Sequence, residues 1–231
     1  ASREFESIKV KNLVNIPLGV DLETFSPKLR NTTMRNELLK GQEVLLIHLG
    51  RMSPEKNPQN SILALIELRK RGVNARLIYV GMGPMFAKLK KLAEGQPVTF
   101  LGYIVDRNKL AEIMACADVS IAPGPIETFC LAALESLASG TPVVASATSA
   151  VGEFLMLDSK NPVGAVADNN PHAFADAINQ VLELKNSQPD LQQKCHHQAE
   201  NFPWSSTLMM MLRLHGAGRE VTALHRNLRA A

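Results

Sequence analysis

The stretch DVSIAPGPIETFCLAALESLASGTPVVAS (118–146) reads in turn as strand, loop, helix and strand. The apolar run DVSIAP (118–123) stops at proline, and a helix is expected from about Phe129 to Ser139. On that helix Leu131, Leu134 and Ala138 mark one face, while Cys130, Ala133 and Leu137 mark another. Gly140 is a natural stop, and Pro142 opens the next apolar run, TPVVAS (141–146). A helix that is apolar nearly all round is a buried one. Glu135 is then its only charge, with Glu127 waiting in the loop before it. An uncompensated buried carboxylate costs on the order of several kcal/mol, so Glu135 should reach a partner or face a cleft, unless it lies on an exposed face at the helix end. Glu127 lies near the free N–H groups of the helix start, where a carboxylate also stabilises the helix dipole by ~0.3–1 kcal/mol.

The same alternation extends in both directions. Strand-like runs VLLIHLG (44–50), ARLIYVG (75–81), VTFLG (98–102) and VGAVA (163–167) precede helical patterns at about 57–71, 84–94, 107–116 and 171–184. Short apolar runs ending in Gly or Pro, each with a helix behind it, define an α/β fold. It is a doubly wound, Rossmann-like parallel sheet covered on both faces. Before it lies VKNLVNIPLGVDLETFSP, an extended lead-in, followed by a polar connector at about 28–42. After about 186 the pattern turns helical around Trp204 and ends basic, in HGAGREVTALHRNLRAA. The expected division is a lead-in over 1–27, a ligand-binding domain over 28–185 and a C-terminal helical segment over 186–231.

Composition narrows the function classes. A net charge of +3 over 231 residues gives no nucleic-acid signature. No apolar run approaches the ~20 residues of a membrane-spanning helix. Three cysteines, Cys116, Cys130 and Cys195, without CxxC spacing argue against a zinc site or a disulfide framework, and favour a reducing cytoplasm.

In an open α/β sheet, ligands bind beyond the carboxyl ends of the strands. The loops that matter are therefore 50–57, 81–86, 102–107 and 123–130. The first, GRMSPEKNP, carries Arg51 and Lys56 into a helix start. Cations beside free helical N–H groups make a phosphate site, although a solvated surface pair has the same composition. GMGP (81–84) is not a dinucleotide fingerprint, because Phe86 occupies the third glycine position; a tight turn is expected there. No DxD, HExxH, GxSxG or GxxxxGK[ST] pattern occurs, and no metal is expected.

Taken in order, these residues resemble a family. Glu127 and Glu135 form an E-x7-E motif inside ETFCLAALESLASGTPVVAS. Around it stand IPLGVDLETFSP, GRMSPEKN, GMGP, VTFLGYIVD and, later, FPW (202–204). Together they resemble the signature of the retaining GT-B glycosyltransferases of family 4, over about residues 14–185. The resemblance implies the C-terminal, donor-binding domain of a metal-independent hexosyltransferase with no cofactor. Its donor would be a GDP- or UDP-linked sugar, with mannose ahead of other hexoses. Arg51 and Lys56 would stabilise the leaving diphosphate, with Glu127 beside the donor sugar as the third catalytic group. Glu135 would accept from the ribose hydroxyls, and Tyr103 and Ile104 would meet the base through their backbone. Gly50, Thr128, Phe129, Cys130 and Leu131 complete the implied substrate-binding set.

Three departures accompany the resemblance. Cys130 stands where the family has glycine, so its implied contact is through backbone only, and SAVGEFL (149–155) matches the family only at Glu153 and receives no role. The family's N-terminal acceptor domain lies outside this sequence, so the chain is expected to be inactive alone. Membrane lipids, glycans and small molecules are all implied acceptors. Arg213, Arg219, Arg226 and Arg229 suit either an anionic membrane surface or packing on the absent domain. The implied location is the cytoplasm, with peripheral attachment at the inner membrane face as an extension. A GT-B epimerase, a phosphorylase and a non-enzymatic binding module are the alternatives.

Overall fold

The computed structural model describes residues 14–158 and 161–216. Each expected apolar run is a strand: β1 (Val44–Leu49), β2 (Ala75–Val80), β3 (Val98–Phe100), β4 (Val119–Ala122), β5 (Val143–Ser146) and β6 (Gly164–Ala167). They form one sheet in the order β3-β2-β1-β4-β5-β6, and every neighbouring pair is parallel. The chain winds outward from β1 to one edge, returns to the centre, and winds from β4 to the other.

The pleat sorts the apolar residues between two cores. Leu46, Leu77 and Tyr79 face one side, where they meet Ile62 and Leu65 of α2 (Gln59–Lys70), Leu89 of α3 (Phe86–Leu92) and Phe174 and Ile178 of α7 (Pro171–Ser187). Leu45, Ile47 and Ile78 face the other, with Met114 of α4 (Arg107–Cys116) and Leu134 and Leu137 of α5 (Leu131–Ala138). Successive strand residues point to opposite faces, so a continuous apolar run is the signature of a strand buried on both sides.

The polar connector expected at 28–42 is instead largely ordered helix, and this is a correction. It contains α1 (Thr32–Leu39), capped by Asn31, whose side chain accepts from Met34 N–H. Its amphipathic signal is weak, and it is held by tertiary contacts: Arg35 donates to Cys116 O at 2.7 Å and to Asp118 at 2.7 Å. The segment given no role, SAVGEFL, holds a short helix, α6 (Val151–Leu155). Its Phe154 packs with Phe129 and Phe202, ring centroids 5.7 and 5.9 Å away.

After α7 come α8 (Leu191–Ala199) and α9 (Trp204–Leu214). Leu191, Cys195 and Ala199 are buried in the same core as Leu134, and so are Val20 and Phe25 of the lead-in. The lead-in meets the C-terminal segment directly, Val20 N–H donating to Phe202 O at 2.8 Å. Val20 of the lead-in also forms a β-bridge to Pro203.

The glycines of GMGP serve close approach between loops more than turning. A Cβ at Gly81 would lie 2.1 Å from Gly50 O, and one at Gly83 would lie 2.4 Å from Met52 O. Met85 N–H donates to Met52 O at 2.9 Å, so the loops after β1 and β2 are locked together.

Candidate active site

The winding direction reverses between β1 and β4, and the crevice outside the carboxyl ends of two such strands is where open α/β sheets bind ligands. A cleft of about 170 Å³ lies there, walled by Gly50, Arg51 and Lys56 after β1 and by Gly124, Glu127, Cys130 and Leu131 after β4. Two wider surface grooves, about 620 and 510 Å³, run past Lys28 and hold none of the expected catalytic or substrate-binding residues.

Lys56 ends a 3-10 turn, Pro54–Lys56, and Asn57 behind it takes a left-handed conformation with φ 47°. This turn carries the ammonium across the cleft mouth, where Lys56 Nζ donates to Glu127 Oε1 at 2.6 Å. Glu127 is held from behind: Ala150 N–H donates to its carbonyl at 2.9 Å, and Thr148 Oγ1 donates to Pro125 O at 2.9 Å. The segment around α6 is therefore the buttress of the Glu127 loop, a role its sequence did not suggest. Arg51 is exposed at the cleft wall.

Cys130 precedes α5 with φ 68° and ψ 80°. A side chain is disfavoured in that conformation, by ~1–2 kcal/mol, and this is the physical reason a glycine suits the position. The strained residue also starts the helix at Leu131, two residues later than the periodicity implied. Burial, and then the Glu127 carboxylate, push the Cys130 thiol up to about 11. It is protonated at neutral pH and is no nucleophile.

Glu135 is not at the Lys56–Glu127 pair. It sits along α5, where Arg107 Nη2 donates to its Oε1 at 3.0 Å. Burial pushes its carboxyl above the ordinary range, and Arg107 offsets part of that rise. The Arg107 guanidinium also lies over the Phe25 ring, 5.0 Å from its centroid. Arg107 was missed, although it ends one of the strand-end loops, because nothing in its local sequence pairs it with Glu135.

The remaining expected residues divide. Tyr103 is exposed, while Ile104 packs against the core. Thr128 is exposed in the loop. The Phe129 ring is committed to the aromatic group with Phe154 and Phe202, so it offers a ligand only its backbone. His48, the one polar residue of VLLIHL, was also missed; it is buried and lines the cleft. Among the described residues no cluster of three or more His, Cys, Asp or Glu could hold a metal ion, and no helix is long and apolar enough to cross a membrane. Arg219, Arg226 and Arg229 lie outside the described residues.

A doubly wound parallel sheet with cations and a carboxylate gathered at its switch point is the architecture of a GT-B glycosyltransferase domain. The family described as "Glycosyl transferases group 1" matches residues 30–202, and the chain belongs to it. Over 219 residues, 94% of the chain, it is 45% identical to a Mycobacterium tuberculosis GDP-mannose-dependent alpha-(1-6)-phosphatidylinositol dimannoside mannosyltransferase, covering 55% of that protein. The chain thus spans about half the length of such relatives. The fold is shared with sucrose-phosphate synthase from Thermosynechococcus elongatus, at TM-score 0.74 and 23% identity, over 96% of this chain and 57% of that one. The C-terminal domain of a group 1 glycosyl transferase from Francisella tularensis matches at TM-score 0.62 and 22% identity, over 82% of this chain and 97% of that one.

Proposed function

We propose that this chain is the donor-binding half of a retaining, metal-independent hexosyltransferase that takes GDP-mannose and passes mannose to a lipid-linked acceptor at the cytoplasmic membrane face. The Lys56–Glu127 pair at the switch point carries this reading, because it sets a cation and a carboxylate side by side next to the start of α5. The mannosyltransferase relative supports GDP-mannose as donor and a phosphoinositide-type lipid as acceptor.

Lys56 has two further ammonium protons to offer a diphosphate while one engages Glu127. Arg51 and the free N–H groups of α5 add to it, so the charge that develops on the leaving phosphate meets fixed positive groups and no metal is called for. Glu127 then lies where a sugar attached to that phosphate presents its hydroxyls. Ribose hydroxyls reaching Glu135 would share it with Arg107. The cleft, about 170 Å³, is smaller than the ~300–1,000 Å³ of a complete small-molecule pocket, which fits a site closed by a second domain.

Titration calorimetry with GDP, UDP and ADP tests the reading. GDP should bind most tightly. The double variant Arg51→Ala plus Lys56→Ala should lose at least tenfold in affinity, since a hydrogen bond to a charged group contributes about 1.5–3 kcal/mol. The chain alone should transfer no mannose. Equal binding by the double variant, or no nucleotide binding by wild type, would sink the assignment.

A further inference from the structure

His48 has no part in the donor chemistry described above, yet it is 2% exposed and lines the cleft beside Gly50, Lys56 and Glu127. Its Nδ1 lies 2.9 Å from Ser61 Oγ on α2, and its ring packs on Tyr79 with centroids 4.7 Å apart. Nε2 has no hydrogen-bond partner among the described residues. Burial, and then nearby Lys56, push the imidazole down to about 3. The ring is neutral at physiological pH, with a proton on one nitrogen and a lone pair on the other.

The hydroxyls behind the ring decide which nitrogen is which. Tyr79 donates to the Pro58 carbonyl, which can only accept. Burial raises the Tyr79 phenol above its ordinary range, and hydrogen bonding from the Ser61 hydroxyl opposes that rise. Running every donor one way, Nδ1–H to Ser61, Ser61 to Tyr79 and Tyr79 to Pro58, gives each group a partner and lets the bonds strengthen one another. If Ser61 donated to His48 instead, the Ser61 and Tyr79 oxygens would face each other with no proton between them. The chain therefore leaves Nε2 bare, its lone pair free for the cleft.

We infer that His48 is a specificity-determining residue of the donor site, its unprotonated Nε2 accepting a hydrogen bond from a hydroxyl of the donor's sugar. A diphosphate oxygen has no proton to give a lone pair, so the neutral acceptor suits the sugar, while Lys56 and Arg51 suit the phosphates. This inference rests on the donor-site reading above.

The test uses the 231-residue chain, with GDP, GDP-mannose and monodeoxy GDP-mannose analogues as calorimetric probes. His48→Asn keeps an amide near Nδ1 for Ser61 and removes the group at Nε2, whereas His48→Gln reaches the Nε2 position; thermal melting checks that both fold. His48→Asn should bind GDP within about twofold of wild type and GDP-mannose about five- to tenfold more weakly, the size of one neutral hydrogen bond. His48→Gln should recover part of that loss. One monodeoxy analogue should bind wild type correspondingly weakly yet bind His48→Asn no worse than GDP-mannose does. Equal losses for GDP and GDP-mannose, no loss for either, or a deoxy penalty that persists in His48→Asn would each overturn the role of His48 alone. No GDP binding by wild type would overturn the donor-site reading itself.

Discussion

Asp118 immediately precedes β4 and Glu135 lies on the helix that follows it, and the two carboxylates are held in opposite ways. Asp118 is 3% exposed and meets Lys185, Arg35 at 2.7 Å, Arg30 at 3.7 Å and the Leu45 N–H at 2.8 Å. Burial pushes its carboxyl up, but Lys185, Arg35 and the backbone donor together outweigh burial and hold it below the ordinary range. Glu135, with its side chain 16% exposed, has one cation among the described residues, Arg107, which is itself 56% exposed. Its carboxyl is held above the ordinary range. A buried charge saturated with partners ties elements together, whereas one left short of partners has capacity for a ligand.

The widest separation between the two should come from Asp118→Asn. Breaking a buried ion cluster costs about 3–5 kcal/mol, read as a drop in the urea midpoint, while the folded fraction should bind GDP as wild type does. Asp118 contributes stability above its unfolded value of ~3.9, and loses it as pH falls through the depressed folded value. The acid limb of the stability curve should therefore be shallower in Asp118→Asn. A cost below about 1 kcal/mol, the size of an exposed pair, would remove the contrast.

Glu135→Gln should act in the other direction and less strongly. The folded value is raised, so wild type loses stability as pH rises from ~4.3 through that value. Removing the charge should stabilise the chain at pH 7 and flatten that part of the pH profile, while nucleotide affinity falls. Destabilisation at pH 7 would mean that Glu135 is a structural charge like Asp118.

The smallest change belongs to Cys130→Gly. Relief of the left-handed strain, ~1–2 kcal/mol, is largely offset by the greater freedom glycine loses on folding, ~0.5–1 kcal/mol. The melting temperature should move by less than about 4 °C. Cys130→Val, branched at Cβ, should melt distinctly lower; equal melting of the two variants would show that the φ of 68° costs nothing.

Much of the fold was legible because its strands are largely buried on both faces and read as mostly apolar runs, most of them followed by Gly or Pro. Lys56 was singled out by its strand-end loop and Glu127 by its E-x7-E spacing to Glu135, and the structure sets the two side by side. Arg107 and His48 were not singled out, because what marks them is a partner far along the chain. Arg107 meets a residue 28 positions away, and His48 is oriented by a hydroxyl chain through Ser61, Tyr79 and Pro58. α1 escaped notice for the same reason: Arg35 reaches Asp118, 83 positions away, and no local periodicity advertises that.

By itself the sequence determined where strands and helices lie, since periods of two and of 3.6 are local properties of side-chain direction. It also placed a cationic loop and Glu127 at strand ends, with Glu135 on the helix that follows. Only the tertiary structure decided that β1 lies beside β4, which brings Lys56 and Glu127 together across 71 positions and gives Glu135 to Arg107 instead. Parallel strands pair through long crossovers and bury both faces, so their order is set by the packing of the whole sheet and is written in no single segment.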